Sequence, residues 1–210
     1  MFKLISATPS PYARKVRIAL IEKGIPFALI TEVPWNSSTA TPRYNPLEKL
    51  PVLIPDQGEA VYESSYILDW LELKFPQTPL LPPDVDGILA AKKLDVLCNG
   101  VCDAVVLTFF ERQREGGGSA EWLARQRRKI EGGMKEIAHL VGTREWAVGE
   151  RFSIGDIAAG TAVGYLSVRL KELPVRAMYP ALAAYADRLD QRPSFAVTVP
   201  VAQTITDKIV

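Results

Sequence analysis

The chain has few of the residues on which metal and nucleophilic chemistry usually depend. Its 210 residues include two cysteines and one histidine, His139. One imidazole excludes a histidine-based metal cluster and a Ser-His-Asp triad. Cys98 and Cys102 are four residues apart, which places them on one helical face and differs from the Cys-X-X-Cys spacing of redox and zinc sites. We therefore expect both thiols and His139 to lie in a helical core, and no metal to be bound.

The chain also has no excess of positive or negative charge. The chain has 25 Lys and Arg residues against 24 Asp and Glu, and its basic residues are scattered apart from a cluster at 125–129. This balance gives little support to nucleic acid binding. The sequence has no charged N-terminal region followed by an apolar stretch, and no apolar run of about 18 residues. It therefore predicts no signal peptide, no membrane span and a cytoplasmic location.

Prolines are unevenly distributed and divide the chain into two parts. Hydrophobic residues make up 48% of the sequence and charged residues 23%, which is typical of soluble globular proteins. Four prolines fall between residues 76 and 83, at a change of pattern. We therefore predict an α/β domain at 1–78, a linker at 79–85 and an all-α domain at 86–210.

The first of these domains begins with a strand-helix-strand pattern. Residues 2–5 and 27–33 are short apolar or alternating runs, and the residues between them repeat at helical spacing. Two strands joined by a helix pair in parallel. The run at 49–54 and the short strand at 60–62 predict a hairpin, and a second helix follows Glu63.

From residue 86 onward the sequence has helical patterns and no convincing strand. Helix-like stretches lie near 87–114, 122–141, 153–171 and 179–191. Ser153 and Asp156 have the spacing of a capping box, in which each side chain bonds the backbone amide of the other. This pattern predicts that the third of these helices begins at Ser153.

The start of the first helix is the sequence feature with the clearest chemistry. Ser10 suits the N-cap and Pro11 the first helical position, where a missing N–H costs nothing. The free amides and the helix dipole favour an anion there. Arg14, Lys15 and Arg17 follow at once, and they form either a solvated basic face or a positive potential around an anionic ligand.

A proline also begins the predicted third strand. The sequence leaves the isomer of the Leu50–Pro51 bond open. A cis bond would turn the N–H and C=O of Leu50 outward, where a peptide-like ligand could pair with them.

Four segments in register make the chain resemble the cytosolic glutathione S-transferases, over nearly its whole length. They are Ser10-Pro11-Tyr12 with the helix that follows, residues 45–53, Glu63-Ser64, and residues 153–156. The resemblance implies a thioredoxin-like N-terminal domain followed by an all-α C-terminal domain. The Ser-Pro-Tyr opening is most similar to the serine-type bacterial, tau and zeta-like members.

The resemblance implies that Ser10 is the catalytic residue. Its hydroxyl would hydrogen-bond the sulfur of glutathione and favour the thiolate, which is the nucleophile. Thr8 and Tyr12 flank Ser10 and also carry hydroxyls. The sequence leaves open whether either residue shares the role of Ser10. Cysteine-type relatives have Cys where this chain has Ser10, which disfavours glutathione-disulfide exchange through a covalent intermediate.

The same resemblance implies the remaining glutathione-binding residues. Leu50 matches the residue before the cis-proline of the family, here Pro51, and its backbone would pair with the cysteinyl part. Glu63 and Ser64 match the pair that holds the γ-glutamyl end. Lys49 matches a position that reaches the glycyl carboxylate in some classes.

The expected function is transfer of the glutathione thiolate to a small, largely apolar electrophile, as in detoxification, by a homodimer. One alternative is a glutathione-dependent isomerase of a small diacid, in which Arg14 and Arg17 would bind carboxylates. Another alternative is a non-catalytic binding or assembly module with the same fold. Glutathione is the expected co-substrate in both enzyme hypotheses.

Overall fold

The computed structural model describes residues 1–208 and divides the chain into two compact units. Met1–Leu81 and the C-terminal segment, residues 192–208, form the first unit. Pro82–Gln191 form the second. The boundary between Leu81 and Pro82 lies inside the predicted linker.

The first unit contains a four-stranded sheet and two main helices. They are β1 (Phe2–Ser6), α1 (Pro11–Glu22), β2 (Phe27–Thr31), β3 (Val52–Ile54), β4 (Val61–Tyr62) and α2 (Ser64–Lys74). The strand order is β2-β1-β3-β4. β1 is parallel to β2, and β3 is antiparallel to both β1 and β4. This confirms the predicted strand-helix-strand unit followed by a hairpin.

The core of the first unit lies between this sheet and the two helices. Consecutive residues of β1 and β3 and the apolar faces of α1 and α2 are fully buried, including Leu4, Leu53, Val16, Leu20, Ile67 and Leu71. α1 and α2 also contact each other. Burial of each such side chain stabilises the fold by about 1.5–3 kcal/mol.

A buried ion pair joins the far ends of these two helices. Lys23 Nζ lies 2.6 Å from Glu72 Oε1 and donates to the carbonyls of Phe75 and Thr78. Glu72 also accepts from the amide of Leu80. These bonds fix the chain just before the boundary between the units.

The second unit consists of helices and the loops that join them. Its helices are α3 (Val85–Glu111), α4 (Ala120–Val141), α5 (Ile154–Arg169), α6 (Val175–Met178) and α7 (Pro180–Asp190). α3 packs against both α4 and α5. The α/β unit followed by a helical unit confirms the predicted fold class.

Burial in the second unit agrees with one prediction and corrects another. Cys98 and Cys102 are buried in α3, as predicted. The prediction that His139 fills the core is wrong, because His139 is exposed in the last turn of α4. The buried stripe of α4 comprises Gln126, Ile130, Met134, Ile137 and Val141, and His139 lies off that stripe.

The capping box predicted at the start of α5 is present and extends into a network. Asp156 is fully buried and accepts from the amides of Ser153 and Ala147, both at 2.8 Å. It also accepts from the hydroxyls of Ser153 at 3.1 Å and Tyr185 at 2.5 Å. Burial raises the pKa of the Asp156 carboxyl, and these four bonds oppose the rise.

The C-terminal segment returns to the first unit, whereas the sequence predicts that the helical domain extends to residue 210. It begins with a short helix, α8 (Pro193–Ala196), which contacts α1. Arg192 pairs with Glu22 at 2.7 Å, and Ser194 donates to the same carboxylate at 2.5 Å. These bonds are polar and long-range, so helical periodicity does not reveal them.

Residues 1–208 contain neither a membrane-spanning helix nor a group of metal-binding side chains. Among those residues, the helices are too short or too polar to cross a membrane. The same residues include no group of three or more His, Cys, Asp or Glu side chains arranged to hold a metal ion.

We predict that Asp156→Ala lowers the free energy of unfolding by about 3 kcal/mol, because it leaves buried donors of three residues without an acceptor. Ser153→Ala keeps the carboxylate and its bonds to Ala147 and Tyr185, so its cost should be about 1 kcal/mol. Chemical denaturation of both variants measures the difference. Equal losses in the two variants would contradict this role of Asp156.

Candidate functional site

Three chain segments meet at one end of the sheet. Ile5 of β1 is opposite Val52 of β3, and Val52 is opposite Tyr62 of β4. Because β3 is antiparallel to its two neighbours, the end of β1, the start of β3 and the end of β4 lie side by side. The loop to Ser10, the Leu50–Pro51 bond and the Glu63–Ser64 pair are attached at these points.

Ser10 stands at the start of α1, as the sequence predicts. It is the N-cap, in extended conformation, and its Oγ accepts from the amide of Ala13 at 3.2 Å. Pro11 occupies the first helical position. A hydroxyl accepts and donates at the same time, so this bond leaves the Ser10 proton available to an acceptor such as a sulfur anion.

The neighbouring hydroxyls are placed differently. Tyr12 is the second residue of α1 and is half-buried. Thr8 is half-buried in the loop, and its carbonyl accepts from the amide of Val201. Among these three residues, Ser10 is the one whose hydroxyl caps the helix.

The loop before β3 is shaped by a buried asparagine. Asn45 is 1% exposed, its Nδ2 donates to the Lys49 carbonyl at 2.8 Å, and its Oδ1 accepts from the amide of Leu47 at 2.9 Å. The Leu50–Pro51 bond is cis. Leu50 lies outside the β1–β3 ladder and is half-buried, and the side chain of Lys49 is exposed.

Glu63 and Ser64 form the start of α2. Glu63 is the N-cap, and its carboxylate accepts from the amides of Ser65 and Tyr66 at 3.2 Å. Its φ of 70° lies in the left-handed region, which costs a non-glycine residue about 1–3 kcal/mol. Ser64 is buried and its hydroxyl lies 3.3 Å from the Glu63 carboxylate.

The three basic residues of α1 do not form a solvated face, so that interpretation is wrong. Arg14 and Lys15 are each 2% exposed and Arg17 is half-buried. Arg14 and Arg17 donate to the C-terminal segment. The atoms that cover them are 180 or more positions away in sequence, so local pattern could not show this.

Sequence reasoning also missed two supporting residues of this end of the sheet. Asn45 belongs to a segment that was singled out, but its bond to Lys49 has no local signature. The capping role of the Glu63 side chain was missed because capping patterns favour Ser, Thr, Asp and Asn. Its signal was the acidic residue directly before a helix of apolar periodicity.

The assembled site suits a ligand with both charge signs. The N-termini of α1 and α2 start from the same end of the sheet, so their dipoles favour negative groups there. The exposed carboxylate of Glu63 offers a partner for a positive group. The hydroxyl of Ser10 stands at the α1 terminus, where a developing anion would be stabilised.

Known proteins with the same two-part fold include glutathione S-transferases. Sequence models of the glutathione S-transferase N-terminal and C-terminal domains match residues 4–79 and 120–188. The glutathione S-transferase of Methylobacterium radiotolerans JCM 2831, solved with glutathione sulfonate, is 70% identical, with coverage of 100% and 99% of the two chains and a TM-score of 0.98.

More distant relatives agree with this. The glutathione S-transferase of Methylobacillus flagellatus KT, solved with glutathione bound, is 36% identical over 96% of this chain and 100% of that one, with a TM-score of 0.91. The uncharacterized GST-like protein YibF of Escherichia coli K12 is 34% identical over 201 residues, which are 94% of this chain and 98% of the relative. The chain therefore belongs to the glutathione S-transferase family.

Proposed function

We propose that this protein is a serine-type glutathione transferase that ionises the glutathione thiol at the start of α1 and transfers the thiolate to a small, largely apolar electrophile. The observation that carries the proposal is the position of the Ser10 hydroxyl at the N-cap of α1. The solved relatives that contain glutathione or glutathione sulfonate support glutathione as the ligand.

The chemistry of the proposal is selective stabilisation of an anion. A free thiol has a pKa near 8.5, so most of it is protonated at neutral pH. A hydroxyl donor from Ser10 and the positive end of the α1 dipole both favour S⁻ over SH. A shift of two pKa units corresponds to about 2.7 kcal/mol of preferential thiolate binding.

The remaining residues of the proposed site align the tripeptide. The backbone of Leu50, beside Pro51, would pair with the cysteinyl part. Glu63 would hold the ammonium of the γ-glutamyl end, and Ser64 at the positive end of the α2 dipole would hold its carboxylate. Lys49 is exposed and would reach the glycyl carboxylate. Such alignment converts a bimolecular attack into an effectively unimolecular one.

The isomerase and the non-catalytic module have less structural support than the transferase. The isomerase hypothesis assigned Arg14 and Arg17 to substrate carboxylates, but both side chains donate to the C-terminal segment. A non-catalytic module has no need of Ser10 together with Glu63 and Ser64. The cytoplasmic location and the homodimer implied by the family resemblance stay predictions.

Ser10→Ala tests the proposed activation directly. We expect turnover of 1-chloro-2,4-dinitrobenzene at saturating glutathione to fall about 100-fold, because one donor to the developing anion is lost. The glutathione Kd, measured by calorimetry, should change less than threefold. Thr8→Val and Tyr12→Phe are the matched controls and should retain most of the turnover. Unchanged turnover in Ser10→Ala would reject Ser10 as the activating residue.

Glu63→Gln tests the γ-glutamyl site. The variant keeps the size of the side chain and one of its two accepting oxygens but removes its charge, so the glutathione Kd should rise about tenfold or more. Glu59→Gln makes the same change at an exposed position of the β3–β4 turn and should leave the Kd unchanged. A thermal melt of each variant reports any loss of the α2 cap. Equal Kd values in the two variants would contradict this assignment.

Binding and substrate assays separate the three functions. We expect the protein to be retained on a glutathione column and to turn over 1-chloro-2,4-dinitrobenzene faster than a maleyl diacid. Failure to bind the column would favour the non-catalytic module. Preferential isomerisation of the diacid would instead favour the isomerase.

A further inference from the structure

The C-terminal segment holds the first turns of α1 through a buried arginine. Arg14 Nε donates to Thr198 Oγ1 at 3.4 Å, and its Nη2 donates to the Phe195 carbonyl at 3.3 Å. The guanidinium carbon lies 5.3 Å from the centre of the Phe195 ring, within cation–π range. All three side chains are at most 2% exposed. These contacts are therefore shielded from water.

Two further bonds connect the same segment to the start of α1. The amide of Val201 donates to the Thr8 carbonyl at 3.4 Å, in the loop that leads to Ser10. Arg17 Nη2 donates to the Val197 carbonyl at 3.2 Å. Residues 195–201 therefore contact the chain both before and after Ser10.

The backbone links Arg14 directly to the cap. The amide of Arg14 donates to the Ser10 carbonyl at 3.0 Å, and the amide of Ser10 donates to the Ala7 carbonyl at 3.1 Å. Ser10 and Arg14 thus begin and end the same helical turn. A displacement of the Arg14 side chain changes the position of the turn whose first residue is Ser10.

The other end of α1 offers a natural comparison. Arg192, also in the C-terminal segment, pairs with Glu22, the last residue of α1. Glu22 is twelve residues from Ser10, which is about 18 Å along the helix axis. The segment therefore contacts α1 through Arg14 and Arg17 in its first two turns and through Arg192 at its last residue. Of these contacts, that of Arg14 lies in the turn that begins at Ser10.

We propose that residues 195–201 form a positioning element for Ser10 and that Arg14 is the positioning residue through which they act. The inference rests on the proposed function of Ser10. Stabilisation of a thiolate depends on the placement of its donors, because a fixed donor needs no reorganisation when charge develops. The C-terminal segment supplies this placement from outside the strand-helix-strand unit.

Matched Arg→Lys variants in the full chain test the proposal. Arg14→Lys keeps the charge but loses the forked geometry, so kcat should fall about tenfold. The fraction of bound glutathione present as thiolate, followed by ultraviolet difference absorbance at one pH, should fall with it. The glutathione Kd should change less than threefold. Arg192→Lys should lower the melting temperature and leave kcat and the thiolate fraction unchanged.

Thr198→Val provides a second test with little change in volume. It removes the hydroxyl that accepts from Arg14, and we expect a smaller loss of kcat in the same direction, with the fold retained. The proposal is overturned if Thr198→Val and any folded Arg14→Lys protein keep the wild-type thiolate fraction. It is also overturned if Arg192→Lys lowers that fraction as much as Arg14→Lys does.

Failure of this inference and failure of the proposed function give different results. If Ser10→Ala lowers the thiolate fraction and the Arg14 and Thr198 variants do not, the positioning role is absent and the function stands. If wild-type protein binds glutathione without forming thiolate, the proposed function itself is wrong, whatever the Arg14 and Thr198 variants do.

Discussion

The start of α1 is the positive end of the helix dipole, and the proposed activity depends on what this end and the Ser10 hydroxyl face. A helix N-terminus favours negative charge, but only within its first turn. The sheet places this turn beside the Leu50–Pro51 bond and the Glu63–Ser64 pair through the register of β1, β3 and β4. The short sheet thus determines which polar groups share one end, and the helices that leave that end supply the favourable dipoles.

The first unit also depends on parts of the chain that lie far away in sequence. The C-terminal segment covers Arg14 and pairs with Glu22, so both ends of α1 are held by residues that follow the helical unit. Lys23 and Glu72 fix the opposite ends of α1 and α2 with a buried ion pair. Buried pairs of this kind are costly to break, because one partner is left charged and desolvated. The result is a rigid support for a site made largely of loop and helix-start residues.

Local signals predicted much of this arrangement. Ser10 with Pro11, and Ser153 with Asp156, are capping patterns whose geometry involves only neighbouring residues, and the structure has both caps. Local sequence patterns could not predict contacts between residues that are far apart in the chain. Arg14 and Lys15 read as a solvated face because the residues that cover Arg14 come more than 180 positions later. His139 is predicted to lie in the core, but it is exposed because it lies off the buried stripe of α4.

The central claim is that glutathione loses its thiol proton when it binds at the start of α1. It is tested most directly by a pH titration of the bound sulfur, followed by thiolate absorbance in the wild-type protein and in Ser10→Ala. The wild-type complex should titrate about two units below the free thiol, and Ser10→Ala should move the midpoint back toward the free value. A wild-type midpoint equal to that of free glutathione would contradict the claim.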